Sequence, residues 1–183
     1  MRKNKMLFWI IICSVFFITG CGNDVDTGIS NSNDNNTGSS ESSIKSVDDL
    51  SSNKGSLICS RDAKAGEGMT TAFNYYIDYK NGNILKLHAI EMVKTSNQED
   101  LDIYEDAYNN INKNYNGLKY YDSEVIRTKD SVSRDTVINY EKIDIDKLLA
   151  IEGEEDNIIE DGKAKLNTWL DFASKFGTTC NEE

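Results

Sequence analysis

The chain has 183 residues, with 31 acidic against 20 basic side chains and a formal net charge of −11. That length holds one domain plus flanking segments. The acidic balance argues against nucleic acid or anionic headgroups as partners through a basic patch.

The first 21 residues read as an export signal. Arg2, Lys3 and Lys5 precede a 13-residue apolar-leaning run from Met6 to Ile18, followed by Thr19-Gly20-Cys21. A charged head, a short apolar stretch and a small-residue processing site make that layout. Spanning hydrocarbon takes roughly 20 apolar residues, so the run is short for an uncleaved anchor. Ile18-Thr19-Gly20-Cys21 looks like the lipobox of bacterial lipoproteins. That resemblance implies cleavage before Cys21, diacylglycerol on its sulfur and a lipid-anchored protein on the extracytoplasmic face of the cell membrane. Without the three signal bases, 17 basic residues face 31 acidic ones, a net charge of −14.

Residues 22–54 read as a disordered tether. Ser, Asn, Asp, Gly and Thr supply 25 of the 33 positions and no aromatic side chain is present, too little apolar surface to offset ordering. A coil of that length reaches on the order of 30 Å. Ile44, Val47 and Leu50 give a faint helical spacing where the tether nears the domain.

The folded domain is expected over 55–183. Ser56 to Ser60 reads as a first strand. Met69 to Lys80 alternates Phe73, Tyr75, Ile77 and Tyr79 with Ala72, Asn74, Tyr76 and Asp78, the period of a strand with one buried face. Asn81-Gly82 fits a type I′ hairpin turn, with Ile84 to Lys94 returning as partner. Its alternation is imperfect, with Ile84, Leu85 and Leu87 early and Ile90, Met92 and Val93 late, which requires either two covered faces or a bulge that shifts the phase. Ser96-Asn97-Gln98-Glu99 reads as a capping box opening a helix with Leu101, Tyr104, Tyr108, Ile111 and Tyr115 on one stripe. Asn116-Gly117 ends it. Strands are expected over Leu118–Thr128 and Arg134–Glu141. A short helix follows around Ile145–Ile151, and a last helix capped by Asn157 runs to Gly177. The order βββ-α-ββ-α-α predicts an α+β fold, an antiparallel sheet of about five strands with helices packed on one face.

Of the four cysteines, Cys13 falls in the signal and Cys21 in the lipobox. Cys59 and Cys180 remain, and in an exported chain two leftover cysteines pair.

Catalytic patterns are weak. His88 is the single histidine, with no His or Cys at metal-ligand spacing and no GxSxG nucleophile elbow. Gly66-Glu67-Gly68 lacks the context of a phosphate loop, so no cofactor is expected. Carboxylates at Asp144, Asp146 and across 152–161 (Glu154, Glu155, Asp156, Glu160, Asp161) keep a carboxylate-based hydrolase or a cation-dependent protein as the alternative reading, although the EF-hand template fails at Ile158. Tyr75-Tyr76 and Tyr120-Tyr121 must each place one ring on each sheet face. Tyr76 and Tyr121, with His88, are therefore the candidate binding surface on the face away from the helices.

The lipobox at Cys21, the Ser/Asn tether, the Leu57-Ile58-Cys59 strand, the Tyr-rich helix and the strand led by Gly117 together resemble the YehR-like bacterial lipoproteins. The resemblance spans roughly residues 55–180 and implies a small α+β envelope protein, with no catalytic residues to carry over. The expected function is a membrane-tethered, non-enzymatic binding or interaction module for a protein or small molecule.

Overall fold

The computed structural model describes residues 44, 46–66, 68–154 and 157–183. The signal, Cys21, most of the tether, Glu67, Glu155 and Asp156 lie outside them. The architecture is α+β. Strands β1 (Lys54–Gly66), β2 (Met69–Lys80) and β3 (Asn83–Thr95) form a meander and α1 (Gln98–Asn114) follows. Next come β4 (Tyr121–Arg127), β5 (Ser131–Asn139) and the short α2 (Ile145–Leu149). A small hairpin, β6 (Ile159–Glu160) with β7 (Lys163–Ala164), leads into α3 (Leu166–Lys175) and β8 (Thr179–Glu182). The main sheet has six strands in the order β4-β5-β3-β2-β1-β8, all antiparallel.

The local reasons are legible residue by residue. Asn81 and Gly82 take φ of 51° and 73°, the left-handed pair that a type I′ turn requires. A bulge near the start of β3 shifts its phase. Asp78 opposes Lys86 and Tyr79 opposes Ile84, which leaves Leu85 unpaired with β2. Its carbonyl instead accepts from the Tyr140 amide at 2.9 Å. Past the bulge, Leu87, Ala89, Glu91, Val93 and Thr95 all face the helices and are buried.

A core lies between the sheet and the helices. Leu57, Phe73, Ile77 and Val132 of the sheet are buried, as are Leu101, Tyr104 and Tyr108 of α1 and Leu166, Trp169, Leu170 and Ala173 of α3. Tyr75 meets Trp169 edge-on, with ring centroids 5.1 Å apart. Leu118, Ile143 and Leu148 close the end beneath α2.

The α+β fold, with an antiparallel sheet and helices on one face, is as expected, and Thr179–Glu182, paired with β1, is its sixth strand. Three expectations are corrected. The last helix does not start at Asn157: Asp161 and Gly162, at φ of 52° and 70°, make a second tight turn, and β6 and β7 precede α3. The cap of α1 is Asn97, whose side chain accepts from the Glu99 amide at 3.1 Å. Thr95 causes the shift from Ser96, since its hydroxyl accepts the Asn97 N–H at 3.2 Å and delays the helix by one residue. Finally, residues 46–53 join the body rather than the tether. Val47–Asp49 forms a 3-10 turn, Glu182 accepts from both the amide and hydroxyl of Ser51, and Tyr79 donates to the Ser52 carbonyl at 3.3 Å. Hydrogen bonds hold a segment too polar to be held by burial.

Candidate functional site: the helix-free sheet face

Side chains alternate across each strand, so the residues not facing the helices form a second, open surface. The registers align Asn181, Ile58, Tyr76, His88, Val137 and Asp122 as one row across all six strands. The neighbouring row places Ser60, Asn74, Ile90, Asp135 and Glu124 side by side. Tyr76 is 42% exposed, Ile58 40% and Ile126 43%, large apolar groups on a surface that no helix among the described residues covers. His88 sits at its centre. Its Nε2 lies 2.8 Å from Asp135 Oδ1, and its ring is tilted 31° against that of Tyr76 at 5.4 Å. Asp135 was not anticipated; only the β3–β5 register brings it within reach of a histidine 47 residues away.

Tyr121 is elsewhere. Tyr120 stands before β4 at φ 68°, so the strand's alternation begins at Tyr121, opposite Ile138 on the helix-covered face. The expectation that Tyr121 shares a surface with Tyr76 and His88 is therefore corrected. Its ring stacks on Tyr115, with centroids 4.1 Å apart and planes within 1°. Its hydroxyl accepts from the Arg134 guanidinium at 2.5 Å.

Arg134 is the hub of a buried polar network. It is 5% exposed, donates through Nε to Asn112 at 2.7 Å and pairs with Glu91 at 3.5 Å. Ser123 donates to the same Asn112 oxygen and bonds Thr136. Tyr115 donates to Glu154. Burial raises the Glu91 carboxyl above the ordinary carboxylate range, and the adjacent Arg134 only partly opposes this. Burial also pushes the Tyr121 hydroxyl up to about 12 and raises Tyr108 and Tyr115 further, with the nearby carboxylates adding to each. The network holds α1 against β4 and β5, and its guanidinium donors have partners in the protein. It reads as structure.

Three of the acidic candidates, Asp144, Glu154 and Glu160, are likewise engaged. Asp144 caps α2 by accepting from the Lys147 amide at 3.1 Å and pairs with the same residue's Nζ at 3.1 Å. Glu154 accepts from Asn157 as well as Tyr115, and Glu160 accepts from Thr168 at 2.7 Å. Among the described residues no three His, Cys, Asp or Glu side chains converge on a metal position. The Cys59–Cys180 disulfide is present, linking directly opposed residues of β1 and β8 and closing a separation of 121 residues. Such a bridge fits an oxidising, extracytoplasmic compartment. Among the described residues no helix is long and apolar enough to cross a membrane.

No family model matches the chain, and no curated protein matches it. Similar solved structures include the NMR structure of the YehR protein of E. coli, at TM-score 0.48 and 17% identity, covering 72% of this chain and 93% of that one. The NMR structure of a protein from Streptococcus pneumoniae TIGR4 aligns at TM-score 0.41 and 11% identity, covering 90% of this chain and 99% of the other. Neither likeness transfers a site or an activity.

Proposed function

We propose that the chain is a non-enzymatic, extracytoplasmic interaction module, held at the membrane through lipid on Cys21, which meets a protein partner with its helix-free sheet face. The observation that carries this reading is the row Ile58–Tyr76–His88, apolar and aromatic groups left in water beside a polar pair. Tyr and Ile standing on a flat, rigid sheet supply contact area with little side-chain entropy to lose. The disulfide supports the compartment, and the tether composition supports a domain free to reach a partner.

A photocrosslinking residue placed at Tyr76 tests this in intact cells, with the same group at Ile103, exposed on α1, as control. The expected result is one adduct of defined mass from position 76 and none from 103. Equal labelling from both positions, or turnover of a substrate by the purified chain that one carboxylate change abolishes, would overturn it.

A further inference from the structure

We infer that the free edge of β4 accepts a basic, extended segment of the partner as a seventh, antiparallel strand. This rests on the interaction-module reading and adds to it the partner's chemistry and its mode of docking.

The sheet's two edges differ. At β8 the chain's own N-terminal segment occupies the border: the Ile44 amide donates to the Cys180 carbonyl at 3.1 Å, and Ser51 is held by Glu182. At β4 the only strand partner among the described residues is β5. The end bonds fix which backbone groups are free. The Thr128 amide donates to the Ser131 carbonyl at 2.8 Å and the Asn139 amide to the Tyr120 carbonyl at 3.0 Å. In an antiparallel ladder that parity gives even-numbered residues to β5 and turns the N–H and C=O of Tyr121, Ser123, Val125 and Arg127 outward. An unpaired row of this kind is the template for strand addition.

Charge decides the occupant. Asp122, Glu124 and Ile126 project together on the open-face side of β4, and all three are exposed. Glu124 stands directly opposite Asp135, a like-charge cross-strand pair that costs stability. Arg127, the nearest cation on the strand, is on the other face and engaged by Asp102 at 2.9 Å and Glu105 at 3.5 Å. Among the described residues no Lys or Arg forms an ion pair with Asp122 or Glu124. A second copy matches less well: antiparallel pairing centred on Glu124 opposes the two Glu124 side chains, centring on Ser123 opposes Asp122 to Glu124, and centring on Val125 opposes the Glu124 carboxylate to apolar Ile126. A strand with an apolar residue facing Ile126 and Lys or Arg facing Glu124 and Asp122 matches both charge and alternation. The chain's excess of acidic residues would also speed its arrival.

The full-length protein in detergent micelles is titrated with the peptide Ac-Thr-Ile-Thr-Lys-Thr-Lys-Thr-NH2, and hydrogen exchange is read by mass spectrometry. The expected result is at least a ten-fold slowing confined to 121–127, absent for the same peptide with Glu replacing Lys. Substituting both Asp122→Lys and Glu124→Lys should weaken binding by ten-fold or more. Val125→Pro should also abolish it while the protein stays folded, because proline is tolerated where an edge N–H faces solvent. Equal binding of the Glu peptide, slowing at β8 instead, or a concentration-dependent dimer protected at β4 would overturn the inference. No slowing at β4 while the position-76 crosslink persists removes this inference and leaves the module reading standing. Loss of that crosslink removes the module reading itself.

Discussion

Glu91 and Arg134 face each other across β3 and β5 with almost no water around either. Removing one partner of such a pair strands the other, which typically costs about 3–5 kcal/mol. Arg134→Ala should therefore lower the stability measured by urea unfolding by that order, whereas Tyr121→Phe, which deletes one acceptor, should cost about 1–3 kcal/mol. The pH dependence follows from the sign of the Glu91 shift. Its folded value is raised, so the folded state binds the proton more tightly than the unfolded chain. The stabilisation is complete below the ordinary glutamate range and is lost as pH rises through the raised value. Glu91→Gln should remove that slope, and an unchanged slope would locate its origin in another group. Neither residue was legible as a buried charge, since a Glu between Ile90 and Met92 and an Arg before Asp135 look like solvated strand positions. Tyr121 was misplaced for a related reason: the strand was expected over Leu118–Thr128 and its alternation to run through Tyr120, whose left-handed backbone keeps it out of the strand.

Among the elements, those with strong local chemistry were legible. The Asn81-Gly82 turn, the alternation of β2 and the apolar stripe of α1 all appear where their patterns place them. The cap of α1 was one residue off, and substitution separates the two positions. Asn97→Ala should cost about 1 kcal/mol and Ser96→Ala close to nothing in thermal unfolding. Gly82→Ala, at φ 73°, should cost a similar amount. The β6–β7 hairpin had its signal in Asp161-Gly162, but the Asn157/Glu160 spacing imitated a helix start. By contrast β8 has one buried side chain, Cys180, and its pairing comes from the partner strand and the disulfide, so no local pattern could reveal it.

At the scale of the molecule, α+β with helices on one face was readable because hairpin turns and amphipathic helices leave few other arrangements. The disulfide clamps the two ends of the described fold, and its closed loop corresponds to about 4–5 kcal/mol in the chain-entropy model. Reduction should lower the melting temperature while the far-ultraviolet spectrum of the cold protein stays strand-dominated. An unchanged melting temperature would show that β8 needs no clamp. What composition and periodicity left open was which strand residues share the uncovered face, since that depends on register. Register places Ile58, Tyr76 and His88 in one row and Ile126 beyond it.

Carbene footprinting tests that surface most directly, comparing the protein in intact cells with the same protein purified. An interaction module predicts that Ile58, Tyr76 and Ile126 are labelled several-fold less in cells, with Ile103 on α1 unchanged. Equal labelling of the open face in both preparations would contradict it.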